Sequence, residues 1–215
     1  AQGPDELEYA RALLRRASLR NGLQQSETAV TELREARLPR ALVPRAMVQL
    51  AQVEALDAYL REYRWEINER EKVESRTELP LKQMSADQLV AAETRILAEL
   101  WLQRDALGAE TIKSAAEFIT PGTWPAGLRD TLRDALAYRW VDLLEDTADW
   151  TPDALSQRYT LELPTLIRGV DAKTSLVDGA VHPLLRLCAV LDDLEQWHQK
   201  AGRPEAALGA RVRRL

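Results

Sequence analysis

The sequence is short of the residues that most chemistry needs. Its 215 residues include one cysteine, Cys188, and two histidines, His182 and His198. A single cysteine excludes an internal disulfide and leaves the redox compartment unreadable. Cys188 lies in the apolar string Leu185-Arg186-Leu187-Cys188-Ala189-Val190, where a buried small hydrophobe is expected rather than a nucleophile. His182 and His198 are far apart in sequence, so a clustered metal site is not expected. His182 precedes Pro183 and fits a helix N-terminal turn, and His198 fits a helix end where its charge favours the dipole. There is no glycine-rich phosphate loop and no Gly-x-Ser-x-Gly elbow. No apolar run reaches the roughly 18 residues of a membrane-crossing helix, so no direct membrane span is expected. A basic surplus is missing too. Lys and Arg number 29 against 34 Asp and Glu, a net charge of −5, which argues against a nucleic-acid partner.

What is present favours helix. Apolar residues make up 46% and charged residues 29%, with both signs interspersed and Ala, Leu, Arg and Glu dominant. Leu7, Ala10, Leu13, Leu14 and Ala17 share one helical face behind Asp5 as cap, and Asn21-Gly22 stops that helix. Ser26 is the expected cap of a second helix with Ala29, Val30 and Leu33. The longest helix is predicted over residues 40–71, with Pro44 in its first turn and Leu42, Met47, Leu50, Val53, Leu56, Leu60, Tyr63 and Ile67 as its stripe. Residues 69–84 read as a charged connection. Ser85 and Gln88 form a capping box for a helix over 85–107, closed by Gly108, and a short helix is predicted over 109–118. Residues 120–127 form a turn-rich linker. Further helices are predicted over 128–146, from Thr151 with Pro152 in its first turn, over 183–201, and from Pro204 to the end. Pro164 leaves 159–169 ambiguous. The division expected is an N-terminal helical subdomain, 1–120, and a C-terminal helical-hairpin subdomain, 121–215, continuous with the first.

Candidate functional residues are few. The acidic runs Glu145-Asp146-Asp149 and Asp192-Asp193-Glu195 are the only material for paired-carboxylate catalysis, and solvated helix faces explain them better. Arg11, Arg15, Arg16 and Arg20 form one basic face and Arg34, Arg37, Arg40 and Arg45 another. Pairing with neighbours such as Glu8, Glu32 and Glu35 is favoured over an anionic partner. Each of the six tryptophans, Trp65, Trp101, Trp124, Trp140, Trp150 and Trp197, can anchor helix packing. Trp124, in the linker, is the one most open to exposure, with packing over a helix end favoured even there. No catalytic, cofactor-binding or metal residue is predicted, no cofactor is implied, and partner-binding residues are not identified.

Three stretches resemble known proteins. Ala201-Gly202-Arg203-Pro204-Glu205-Ala206-Ala207-Leu208 looks like the inter-helix turn of a tetratricopeptide repeat, although no second copy recurs at the expected period. Residues 56–70, with Trp65, Ile67 and Arg70 ending a long helix, and residues 128–144, with Leu132, Leu136, Tyr138, Trp140 and Leu144, complete the set. Together they resemble the N-terminal helical region of large bacterial alpha-2-macroglobulin-like proteins, over roughly residues 40–215. The resemblance implies a bacterial envelope protein, periplasmic or exported, related to protease traps, with Trp65, Ile67, Arg70 and Tyr138 as packing residues. The family's thioester motif, Cys-x-Glu-Gln, is not matched, because Cys188 is followed by Ala189-Val190-Leu191.

The expected fold is therefore all-α, with antiparallel hairpins forming an irregular tetratricopeptide-like solenoid or a bundle. The expected function is that of a non-catalytic scaffold or protein-interaction module of such an envelope protein. It would bind a protein or peptide and the other domains of a longer chain. A stand-alone cytoplasmic adaptor is the alternative, and a helical enzyme with paired carboxylates a remote one. The start, Ala1-Gln2-Gly3-Pro4, reads equally as a mature end or an engineered junction. The apolar face of the last helix, Ala206, Ala207, Leu208 and Val212, reads as the edge of a truncated array.

Overall fold

A computed structural model of the chain describes residues 4–70, 79–116, 118, 122, 124–168 and 173–214. It is all-α: among the described residues the one β feature is an isolated antiparallel bridge between Thr111 and Thr131. The chain divides into two compact units, residues 1–102 with 114–120, and residues 103–113 with 121–215. Residues 103–113 thus group with the second unit, whereas the sequence reading draws its boundary at residue 120.

The first unit is built around α3 (Leu42–Glu62), which packs against α1 (Pro4–Gly22), α2 (Ser26–Glu35) and α5 (Ala86–Trp101). A helix enclosed by three neighbours must be apolar around much of its circumference. Val43, Met47, Val48, Val53, Ala55, Leu56, Tyr59 and Leu60 are accordingly all buried. The helix does not continue to residue 71 as predicted. It breaks at Tyr63 and resumes as α4 (Arg64–Asn68). Ile67 of α4 is buried in the core, whereas Trp65 is 82% exposed, against its expected packing role. Arg70 then reaches back to the carbonyls of Leu81 and Met84 at 3.3 and 3.2 Å and to the Tyr59 hydroxyl at 3.2 Å. It ties the start of α5 to the end of α4. Of the predicted connection 69–84, residues 71–78 lie outside the described residues. The Ser85–Gln88 capping box forms as expected.

Two termini differ from expectation. Ser26 does not cap α2. It is that helix's first residue, and its hydroxyl donates to Glu62 of α3 at 2.5 Å. Helix α1 also runs through Gly22, and the left-handed position falls two residues later on Gln24, at φ 56°. The Gln25 N–H bonds the Arg20 carbonyl at 2.9 Å, the 6→1 bond that closes such a helix end.

The second unit holds α6 (Arg104–Ala109), α7 (Leu132–Glu145), α8 (Pro152–Gln157), α9 (Leu163–Arg168), α10 (Pro183–Lys200) and α11 (Pro204–Arg214). Helix α5 therefore stops at Trp101 rather than near residue 107, and Gly108 does not end a helix but sits inside α6. A Cβ built on Gly108 would lie 2.5 Å from the Trp197 ring, so α6 can approach α10 only because this position has no side chain. The helix predicted over 109–118 is a 3-10 turn at Ile112–Ala115, and residue 117 lies outside the described residues, as do Thr120, Pro121 and Thr123 of the linker. Helix α7 starts at Leu132, later than predicted, capped by Thr131. Thr151 caps α8 as expected. Pro164 does not break the chain but stands in the first turn of α9, where its missing N–H is harmless. Gly202, at φ 68°, closes α10, with the Arg203 N–H on the His198 carbonyl at 2.9 Å.

Two glycine substitutions test this reading. Gln24→Gly removes the left-handed strain at the end of α1 and is expected to raise stability by roughly 1 kcal/mol. Gly108→Ala should lower stability although alanine is the better helix former by about 1 kcal/mol, because the methyl meets Trp197. Urea unfolding of both variants checks the two signs, and a stabilised Gly108→Ala would contradict the close approach.

Candidate interaction groove

In the second unit, α7, α10 and α11 are locked together by buried polar contacts. Asp134, at the third position of α7, is completely buried. Its Oδ2 accepts from the Thr131 N–H at 3.1 Å and from the Thr131 hydroxyl at 2.7 Å, and its Oδ1 meets His198 Nε2 of α10 at 2.7 Å. His198 is 1% exposed and its Nδ1 has no partner. The sequence reading placed His198 at a helix end facing the dipole. The structure gives it a specific carboxylate partner 64 residues away. His182 caps α10, accepting the Leu184 N–H at Nδ1 (3.1 Å), while Nε2 meets the Ala154 carbonyl at 2.9 Å.

Next to this pair, Arg133 of α7 is 2% exposed. It bonds Asp105 of α6 at 2.6 Å and Asp193 of α10, and its guanidinium lies 4.6 Å from the centre of the Trp197 ring. Arg104 meets the same Asp193 at 3.3 Å. On the far side of α10, Arg214 bridges Asp192 and Glu195, and Arg211 reaches Glu195 at 2.7 Å. Asp192, Asp193 and Glu195 therefore do not form a solvated face, as the sequence suggested. Each turns to arginine on a neighbouring helix. In the other acidic run, Glu145 pairs with Arg213, and Asp146 caps the 3-10 turn Thr147–Asp149. Among the described residues no three His, Cys, Asp or Glu side chains gather as metal ligands would.

These helices line a groove of about 830 Å³. Leu128, Leu166, Leu184, Leu187, Leu208 and Val212 make it apolar, and Cys188, Tyr138 and Trp124 add to its lining. Burial pushes the thiol of Cys188 up from its ordinary pKa, opposed by Arg214, so the group behaves as a packed hydrophobe. Burial also raises Tyr138, opposed by Arg129. On α11, Leu208 and Val212 stand one turn apart, 59% and 61% exposed, as an apolar stripe without cover. Trp124 is 56% exposed, and the Arg129 guanidinium lies 3.8 Å from its ring centre and 3.4 Å from that of Tyr138.

The basic face of α1 pairs largely with glutamates. Arg11 pairs with Glu8 at 2.5 Å, and Arg16 and Arg20 meet Glu32 at 3.8 and 2.7 Å. Arg34 and Arg45 serve as ties, to the carbonyls of Leu79 and Pro39. Sequence reasoning expected a binding groove between packed helices but did not identify the residues that line it. The apolar residues that line it were visible, but those of α10 and α11 share their periodicity with the core, and only the packing shows which of them stay uncovered.

No family model matches the chain, and neither curated proteins nor solved structures give a match.

The Asp134 contacts can be weighed by substitution. Thr131→Ala removes a cap and is expected to cost about 0.5–2 kcal/mol. Asp134→Ala also leaves buried His198 without its partner, which should cost about 1–3 kcal/mol on top of the lost cap contact. Equal losses in urea unfolding would reduce Asp134 to an ordinary capping residue.

Proposed function

We propose that this chain is a non-catalytic helical scaffold and protein-interaction module, its helices stacked as hairpins in an irregular tetratricopeptide-like array. The observation that supports this most is the groove between α7, α10 and α11. Its lining is largely aliphatic, and the helices that carry it are joined to one another by ion pairs and by the buried Asp134–His198 contact. A rigid apolar groove on packed helices suits recognition of a protein segment. The carboxylates that acid–base chemistry could have used are taken up in structure: Asp134 by Thr131 and His198, Asp192, Asp193 and Glu195 by arginines.

The setting proposed is the bacterial cell envelope, within an alpha-2-macroglobulin-like protein. The stretches 56–70 and 128–144 carry that reading, together with the glycine-closed turn at Gly202. Ile67 and Tyr138 of those stretches are buried packing residues, and Trp65 is not.

The test is capture of a partner. The chain is immobilised beside a variant with Leu208→Asp and Val212→Asp, both exposed positions where charge leaves the core intact. Bacterial envelope and cytosolic extracts are passed over each. The expected result is a protein retained from envelope by the native groove and lost, by tenfold or more, from the variant. Equal retention by both would remove the groove from the function, and retention from cytosol alone would favour the adaptor over the envelope scaffold.

A further inference from the structure

The groove carries one charge whose demand is unmet. Its lining includes Arg129, Arg213, Arg214, Glu145 and Glu205. Arg213 is satisfied by Asp142 and Glu145, and Arg214 by Asp192 and Glu195. Arg129 has no carboxylate partner among the described residues. Its guanidinium is instead held between Trp124 and Tyr138, 3.8 and 3.4 Å from their ring centres. Stacking uses the faces of the guanidinium, and one side-chain hydrogen bond goes to the Tyr138 hydroxyl; a guanidinium has five N–H donors, so this leaves donors over for a carboxylate. Glu205 also lacks an ion pair, but it is exposed and freely hydrated, so it makes a weaker demand on an occupant. The fixed, half-buried cation is the element that selects.

The walls say what backbone the occupant must have. They are mostly helices, whose backbone hydrogen bonds are satisfied internally, and among the described residues the second unit has no strand edge for an extended peptide to join, only the isolated Thr111–Thr131 bridge. An extended chain laid on Leu184, Leu187, Leu208 and Val212 would bury peptide groups without partners, at a cost a helix avoids. We infer that the groove receives an amphipathic helix of a partner protein, with aliphatic side chains at i, i+3 or i+4, and i+7 against the groove and an Asp or Glu carboxylate on Arg129. The inference rests on the interaction-module reading and adds the chemistry of the partner to it.

The probe is a synthetic helical peptide of about four turns, Ala- and Lys-based, with leucines at i, i+3, i+4 and i+7 and one glutamate a turn beyond. It is compared with the same peptide carrying glutamine, and with one interrupted by proline, by fluorescence anisotropy on the full chain at about 0.15 M salt. The glutamate peptide should bind about tenfold more tightly than the glutamine peptide, as expected of a charge-assisted contact. Arg129→Gln should erase that difference, bringing the glutamate and glutamine peptides to the same affinity. The proline peptide should not bind, and Leu208→Asp should abolish binding of the glutamate and glutamine peptides. Equal binding of glutamate and glutamine peptides would overturn the role of Arg129 and leave the groove as a binding site. Equal binding of the proline peptide would overturn the helical occupant. Binding of no peptide, with the chain folded by circular dichroism, would overturn both readings. Displacement of the glutamate peptide by a stoichiometric fatty acid, or self-association abolished by Leu208→Asp, would assign the groove to a lipid or to a second copy and overturn the proposal.

Discussion

The buried contact between Asp134 and His198 is the constraint on which the second unit depends. A carboxylate with no exposure to water is tolerated only if its oxygens are occupied, and here Thr131 and His198 occupy them. One partner lies on α7's own first turn and the other near the end of α10. The same side chain therefore starts one helix and fixes its rotation against another. Arg133, its neighbour, adds the pull of α6 through Asp105 and of α10 through Asp193. Any slip of α7 along α10 would break both sets at once, and breaking a buried pair costs far more than forming it gains.

That rigidity has a use if the unit presents a surface. The residues that line the groove sit on the faces of α7, α10 and α11 next to the clamps: Leu184, Leu187 and Cys188 on α10, Leu208 and Val212 on α11. Arg211 and Arg214 draw α11 against Glu195 and Asp192, and Ala206, Ala207 and Ala210 let the two helices approach closely. The charges work inward, between helices, while the aliphatic stripe is left outward. A soluble helix normally shows the reverse pattern, which is why this face reads as one made for contact.

Much of the first unit was legible from periodicity. Ala10, Leu13 and Ala17, and Ala29, Val30 and Leu33, were assigned to helix faces from spacing and are buried. The Ser85–Gln88 box, the Thr151 cap and the Gly202 stop were legible because each is a local chemical pattern with one geometric solution. The break at Tyr63 was not, since neither glycine nor proline marks it. The stop expected at Asn21-Gly22 fell two residues later, with the left-handed turn on Gln24, because the packing of α1 on α2 and α3, not intrinsic preference, set where the chain had to turn.

The sequence by itself determined the class of the fold, the approximate places of its helices and which residues could form a core. These follow from apolar spacing and from local capping, both of which act within a few residues. Only the tertiary structure decided that Asp134 meets His198, that Asp193 is shared by Arg104 and Arg133, and that Arg129 alone among the groove's arginines faces no carboxylate. Those pairings join residues tens of positions apart. A charge's partner depends on which helix faces are brought together in space, and no local pattern records that.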